Sequence, residues 1–529
     1  MKSSTTPMAK FVLACAATVP LTVLAQTVEV SPAVQHDHLP SLRGVMPKPD
    51  EFSEDKKHVR EVKYIPHLNA PGNAVDTSVQ GSPSQSPAGV TSSGLGFAGV
   101  GNGDYGFAPD AAPPDTNGAV GATQYVQWVN ESFAVFNKST GALVLGPRKG
   151  NTVWAGFGGQ CETSNDGDPI VKWDNASQRW VMMQFAVSTT PYLQCVAVSQ
   201  TADATGGWNR YAFSYGTAFP DYPKAGVWTN AYVVTFNMFA GGSSFSGAKV
   251  CAYDKAAMVA GTAATQQCFQ LSTSFGGLLP ADPDGASTIK AGAPNYLLNF
   301  TGGTQLNMWK LAPNFSNPAL TTFTGPTAIP VNGFTAACNG GACIQQAGTA
   351  NDLDSLADRL MYRLAYRNFA DGHDALLVTH SVNAAGATRH KPHTAVRWYE
   401  VRNMSTTPTV FQQGTYQPDA LSRWMGSAAF DKQGNIAVGY STSSASTFPS
   451  IAMSTRAVGD APGTLSNEVV LKAGGGSQTG SLHRWGDYSA MVVDPSDDCT
   501  FWYTTEYLKA SGSFNWSTWI SSFKIAGCQ

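Results

Sequence analysis

One phrase, restated with variations along the chain, restricts what it can fold into. An Asp or Arg beside a Pro, Gly or aromatic residue opens a short run of alternating apolar residues. Examples are PPDTNGAV at Pro113, NDGDPIVKW at Asn165, FPDYPKAGVW at Phe219, SRWMGSAAF at Ser422 and HRWGDYSAMVV at His483. Each run meets a turn rich in Asp, Asn, Gly or Ser, and a second strand-like run follows. Self-similarity at a long period marks a repeat architecture. The runs themselves, among them RWVMMQFAV, LQCVAVSQ, AYVVTFNMF, LMYRLAYR, ALLVTHSV, VRWYEV and FWYTTEY, alternate or are rich in β-branched and aromatic residues, which is strand chemistry. Helical signals are few: NDLDSLADRL and a turn near Lys255–Met258. Strands without intervening helices predict an antiparallel all-β fold.

The units open near Asp115, Asp168, Asp221, Pro294, Arg359, Arg423 and Asp487, about 60 residues apart. That is longer than the roughly 40–50 residues of familiar propeller repeats, and the excess is assigned to loops. A single β-propeller fits better than a sandwich, because radial repetition hides sheet edges and tolerates insertions between blades. The count gives seven blades, with six or eight left open. In a propeller the first strand of each blade lines the central channel. The repeated phrase therefore places Asp and Arg side chains around one mouth.

The start of the chain reads as a secretory signal over residues 1–25. Lys2 and Lys10 supply a basic region, Phe11–Leu24 is apolar, and Val23-Leu24-Ala25 precedes a cleavage point before Gln26. A rival reading takes Val12-Leu13-Ala14-Cys15 as a lipid-attachment site. No other apolar stretch approaches the roughly 20 residues of a spanning helix. The expectation is a protein secreted to the extracellular space or periplasm, with no transmembrane segment. Residues 26–95 lack sustained periodicity and end in a Ser/Pro/Gly-rich stretch. They read as a flexible arm or linker, in part laid along the surface of a propeller domain at 96–529.

Of nine cysteines, Cys15 falls in the leader. The other eight are an even set in an exported chain, which reads as disulfides. Sequential pairing gives short loops within units: Cys161–Cys195, Cys251–Cys268, Cys338–Cys343 and Cys499–Cys528. No CxxC supports a thiolate metal site. With a formal net charge of −3 and 13% charged residues, no basic run argues for nucleic acid. The expected partner is an extracellular polysaccharide or glycoconjugate, and the expected state a monomer.

Longer strings carry a resemblance. PPDTNGAVG, NDGDPIV, FPDYPK, GAPNY, LMYRLAYRNF, SRWMGS, DKQGNIAVGYS and RWGDYSAM with DPSDDCTFWYTTEY resemble a large set of exported bacterial proteins of sialidase-like or BNR-type β-propeller character, over nearly all of residues 96–528. That set has no activity to transfer. The resemblance implies a propeller and a glycan-directed channel mouth. The chain departs from sialidases in lacking the Asp-box, SxDxGxTW, of which DKQGNIAVGY at Asp431 is only a loose echo.

Glycosidic hydrolysis needs two carboxyl groups across a bond, one protonated and one ionised, roughly 5–5.5 Å apart for retention or 6.5–9.5 Å for inversion. Asp168, Asp221 and Asp487 are the candidate catalytic residues, with Asp115 and Asp166 also acidic at openings. Each alone fits a turn role, since Asp beside Pro or Gly caps backbone amides. A shared mouth explains the set. Arg359, Arg363, Arg423, Arg484 and Lys224 are candidate substrate-binding cations, or else members of a closed salt-bridge belt. Tyr222, Trp424 and His380 complete the candidate binding set. A His380 or Tyr base beside an arginine would instead equip a polysaccharide lyase acting on uronates, and a third reading is a non-catalytic glycan- or protein-binding propeller. His390 and His393 match no zinc spacing. No cofactor is expected. The oxygen-rich turns at Asn165, Asp282 and Asp494 leave a structural calcium open. The GxSxG, HExxH and phosphate-loop motifs are absent.

Overall fold

The computed structural model describes Met1 and residues 27–46, 57–66, 75–84, 90–388 and 392–529. The expected leader, its cleavage point, Cys15 and His390 lie outside the described residues.

Nearly all the regular structure is strand, and it falls into antiparallel meanders of four. The first runs from Asn117–Val120 to Leu143–Lys149, the second from Ile170–Asp174 to Trp208–Gly216, and the third from Phe219–Val227 to Thr265–Gln270. The fourth runs from Leu279–Pro283 to Thr322–Pro330, the fifth from Met361–Asn368 to Thr409–Tyr416, and the sixth from Ser422–Phe430 to Val469–Lys472. The last holds Ala490–Val493, Phe501–Leu508 and Trp516–Ile525, and takes its outer strand, Val90–Ala98, from the far end of the chain. The first strands touch in sequence order, and Ala490–Val493 returns to contact Asn117–Val120, so they close into a ring. The fourth and fifth even pair in parallel, Ala281 opposite Leu364.

Alternation along each strand makes both faces of most sheets apolar, and the core lies between neighbouring sheets rather than at one centre. Val126, Trp128 and Val135 of the first meander pack on Trp180, Met182 and Ala197 of the second. Ile170, Met183 and Val196 of the second pack on Val234 and Cys251 of the third, and Val492, Trp502 and Ile520 of the last pack back on Tyr125 and Phe136 of the first. This is propeller-type packing. The four sequential disulfides form, each within one sheet or its connecting loops.

Three sequence expectations change. The fourth unit opens at Leu279–Pro283, not at Pro294, which directly precedes the second strand Asn295–Phe300. Its opening LLPADPD reads as a turn because DPDG is turn-like, yet Asp282 is held inside the ring by cations (below). NDLDSLADRL forms no helix: Leu353–Asp354 pairs with Ala342–Ile344, and Asp354 accepts the Leu356 N–H at 2.9 Å, a local bond that competes with helix. A helix does form at Lys255–Ala260.

The third change concerns the arm: the part expected to lie along the domain surface is built into the sheets as outer strands. Glu29–Pro32 adds a fifth strand to the third sheet, Gln35–Leu39 to the second and Val79–Gln80 to the fifth. Unpaired outer strands offer open N–H and C=O groups, and these segments satisfy them. The expected boundary at residue 96 falls inside Val90–Ala98.

Candidate active site

The ring strands begin in unusual backbone. Asp115, Asp168, Tyr222, Met425 and Asp487 all have positive φ, between 46° and 60°. Each stands at the entry to the inner strand of a different sheet, so the repeated phrase of the sequence is a repeated left-handed turn. Asp tolerates this conformation through local hydrogen bonding, whereas Tyr and Met adopt it only when the surroundings impose it. Tyr222 and Met425 lie in bulges, where pairing slips between Asp221 and Lys224 and between Trp424 and Ser427. Alignment on the left-handed residue puts Tyr222, not Asp221, in register with Asp115, Asp168 and Asp487. Asp221 therefore projects one residue early. Next to Asp168, Gly167 (φ 95°) admits the Asn130 side chain where a Cβ would stand.

Three of these entries, Asp168, Tyr222 and Asp487, meet at a cavity of about 680 Å³. Its walls include the expected Asp168, Asp221, Tyr222, Arg359, Arg484 and Asp487, with Asp166. Asp221 is half-buried on the cavity wall, and burial with the Asp168 charge raises its carboxyl to about 7. Asp168 is also raised, by burial above all and by Asp487, against the pull of Lys224 and Arg60. It accepts the Tyr222 N–H at 3.1 Å. Asp115 lies behind the wall, 1% exposed, and neither of its oxygens has a protein donor. Burial and the charges of Asp487 and Asp168 hold Asp115 well above the usual carboxylate range.

The cations of the wall are committed. Arg359 grips Asp358 with Nε at 2.6 Å and Nη2 at 2.9 Å and lies over the Tyr222 ring. Arg484 pairs with Asp487 and lies 3.4 Å from Asp354. Lys224 sits behind the wall between the rings of Tyr222 and Tyr488, donating to the Pro223 carbonyl at 2.8 Å; burial lowers its ammonium to about 8.

Four expected binding residues lie elsewhere. Arg363 is deeper in the ring, donating to Asp282 at 2.9 Å, to Asp284 and to the Met491 carbonyl, while Lys172 holds Asp282 at 2.7 Å. The space beside them is only about 30 Å³, so this cluster is the closed belt. Arg423 faces away from the mouth and is held by Asp419 and Glu468. Trp424 packs on Trp485 in the core beneath the mouth. His380 is fully buried against Phe300, Phe334 and Tyr399, bonded to the Tyr399 hydroxyl at 2.9 Å, and burial holds it well below its usual value. An apolar cage favours neutral imidazole.

The carboxylates of the three oxygen-rich turns take protein donors: Asp166 from Val187, Ser188 N–H and the Ser188 hydroxyl, Asp282 from Lys172 and Arg363, and Asp494 from Lys138.

The sequence reading missed the roof. His58, Arg60, Glu61, Val62 and Lys63 line the cavity from above, with Glu131 on the wall. Glu131 accepts from His58 Nε2 and Arg60 Nη2, each at 2.7 Å. EDKKHVREVKY is a dense run of charge in a sparsely charged chain, and that density was the available signal.

No family model and no curated protein sequence matches the chain, so the sialidase-like resemblance finds no support there. Among solved structures, an unknown-function protein from Dyadobacter fermentans DSM 18053 is 10% identical with a TM-score of 0.37, covering 68% of this chain and 94% of its own. An exo-beta-1,3-galactanase from Clostridium thermocellum is 9% identical with a TM-score of 0.31 (82% and 97% covered), and an ulvan lyase of polysaccharide lyase family PL25 is 11% identical with a TM-score of 0.27 (78% and 80%). Likeness this loose transfers no activity, and the functional reading rests on the site.

Proposed function

We propose that the chain is an exported, seven-bladed β-propeller that hydrolyses a glycan in the mouth cavity. One observation carries the reading. Asp221 faces the cavity with its proton retained to about pH 7, beside a second cavity-facing carboxyl, Asp168. A carboxyl that keeps its proton beside a second carboxyl in the same cavity is the equipment of glycosidic hydrolysis. Asp221 gives its proton to the leaving oxygen as the glycosidic C–O bond breaks. Asp168, a stronger base than an ordinary carboxylate, takes a proton from the water whose oxygen adds to the anomeric carbon. Asp487, neutralised by Arg484, and Tyr222 orient the sugar. Four disulfides suit an oxidising, extracytoplasmic setting, and no helix among the described residues is long and apolar enough to cross a membrane.

The lyase reading is weaker at this site. His380 is enclosed in the core, and burial pushes the phenols of Tyr222 and Tyr488 well up, so neither supplies a base near neutral pH.

The test is a broad glycan panel scored for new reducing ends, with wild type and Asp221→Asn. Wild type turns over at least one glycan, and the variant loses about 10²–10⁴-fold, the typical worth of a general acid. Equal rates in the two proteins, or no turnover of any glycan, would defeat the assignment. An ultraviolet-absorbing product would transfer the site to the lyases.

A further inference from the structure

The cavity is roofed by the protein's own chain. His58–Val59 pairs in parallel with Ala111–Ala112, and the Arg60 N–H donates to the Ala112 carbonyl. The strap then crosses the mouth. Arg484 donates to the Arg60 carbonyl and Arg359 to the Lys63 carbonyl. Ile65 is buried at the far side, its N–H bonded to Asp358 at 3.0 Å. Between these anchors the strap lowers cations onto the site. Arg60 pairs with Glu131 and feels the charges of Asp166 and Asp168. Lys63 lies over Phe219 and Phe239 and near Asp221.

The sheets supply the complementary charge. Their acidic groups on the cavity are Glu131, Asp166, Asp168, Asp487 and, charged above about pH 7, Asp221, against Arg359 and Arg484. Both arginines are already bound by carboxylates. The sheets therefore bring no uncommitted cation of their own for a uronate or sulfate, the remaining cations of the cavity coming from the strap, and a like-charged ligand would meet repulsion from the sheets in a half-enclosed space. They do have carboxyl groups whose present counter-ions come from the strap.

We infer that the ligand of this cavity is a saccharide bearing free primary amines, and that the strap carrying Arg60 and Lys63 is its internal competitor. The inference rests on the glycan reading above and names the class of sugar. The strap's positive groups stand where the ammonium groups of the ligand bind. The ligand enters by displacing the roof between Arg60 and Lys63, with Ile65 and the His58–Val59 pairing as the points that hold it.

The experiment is calorimetric titration of the full chain in the Asp221→Asn form, so that nothing is consumed, with three oligosaccharides: glucosamine oligomers, the same oligomers fully N-acetylated, and galacturonate oligomers. The amine form is expected to bind at least about tenfold more tightly than either other form, and to weaken as salt rises. Adding Arg60→Gln and Lys63→Gln is expected to tighten amine binding about tenfold, the gain when a segment covering a site nine-tenths of the time stops competing. A thermal melt checks that this variant is folded; the comparison of the three ligands needs no strap variant. Equal or better binding of the acetylated or uronate oligomers overturns the inference, as does unchanged amine affinity in the folded strap variant. Amine binding without turnover in the wild type would defeat only the hydrolase reading. Turnover of a neutral or acidic glycan without amine binding would defeat only this one.

Discussion

Two clusters of Asp and cations lie along the same ring of strands, and they behave oppositely. In the belt, Asp282 takes Lys172 and Arg363 together; despite burial, their charges hold it below the ordinary range. Its neighbour Asp284 is raised by burial, yet it too is bonded, to Arg363 and to the Phe430 N–H. A few residues back along those strands, Asp115, Asp168 and Asp221 outnumber the cations available to them, and all three are raised. Residue type does not separate a lock from a site. The ratio of carboxyl groups to uncommitted donors does.

That contrast can be broken from either end. The largest expected effect is the loss of about 10²–10⁴-fold in turnover for Asp221→Asn, with wild-type activity falling as pH rises through about 7, where Asp221 gives up its proton. Next, Arg363→Met leaves Asp282 and Asp284 short of a cation and should cost about 3–5 kcal/mol, the usual cost of breaking a buried pair from one side. Denaturant titration measures it, and a folded Arg363→Met protein with normal stability would mean that the belt is not a lock.

Third comes the pH dependence of stability. Raised carboxyl groups bind protons more tightly in the folded than in the unfolded chain, so the slope of stability against pH is negative between the unfolded value near 4 and the folded value, about 7 for Asp221. The melting temperature should fall across that window, and Asp115→Asn should flatten the fall; a rising profile would contradict the mouth's excess of carboxyls. Lys224 acts above it: lowered to about 8, it is deprotonated before the unfolded chain is, so stability recovers from about pH 8 towards 10. The smallest effect is at Arg423. Its guanidinium is buried but its partners Asp419 and Glu468 are partly exposed, and Arg423→Ala should cost about 1–3 kcal/mol with turnover unchanged. A drop in turnover would return Arg423 to the mouth.

Much of the ring was legible because strand alternation and turn chemistry are local. The openings at Asp115, Asp168, Asp221 and Asp487 announced the sheets, and the last three the cavity wall as well. The fourth opening was not legible, because Leu279–Pro283 carries its aspartate at the end of the strand and no charge at its start. Arg363 and Arg423 have the same local look as Arg359 and Arg484. Only the partner, hundreds of residues away in the case of Arg484 and Arg60, decides which faces the cavity. His380 ends no strand; it lies within Asp374–Asn383, and its cage of Phe300, Phe334 and Tyr399 comes from three other strands or loops. The roof left no trace but its charge density, for a related reason. A segment without periodicity acquires its place from the surface it crosses, not from its own pattern.

The outer strand of the last sheet has a consequence for how the protein is made. Ala98 pairs with Trp519 and Ser93 with Phe523, so the seam joins residues separated by more than 400 positions. Loop closure over such a span is slow relative to the local hairpins. As the chain is synthesised, each meander can form when it emerges, but the circle stays open until nearly the last strand has been delivered. Asp115 and Asp487 come from the two sides of that seam, so the chemistry of the mouth is assembled only when the circle is shut. A chain cut short before Trp516 would carry six finished sheets and no working site.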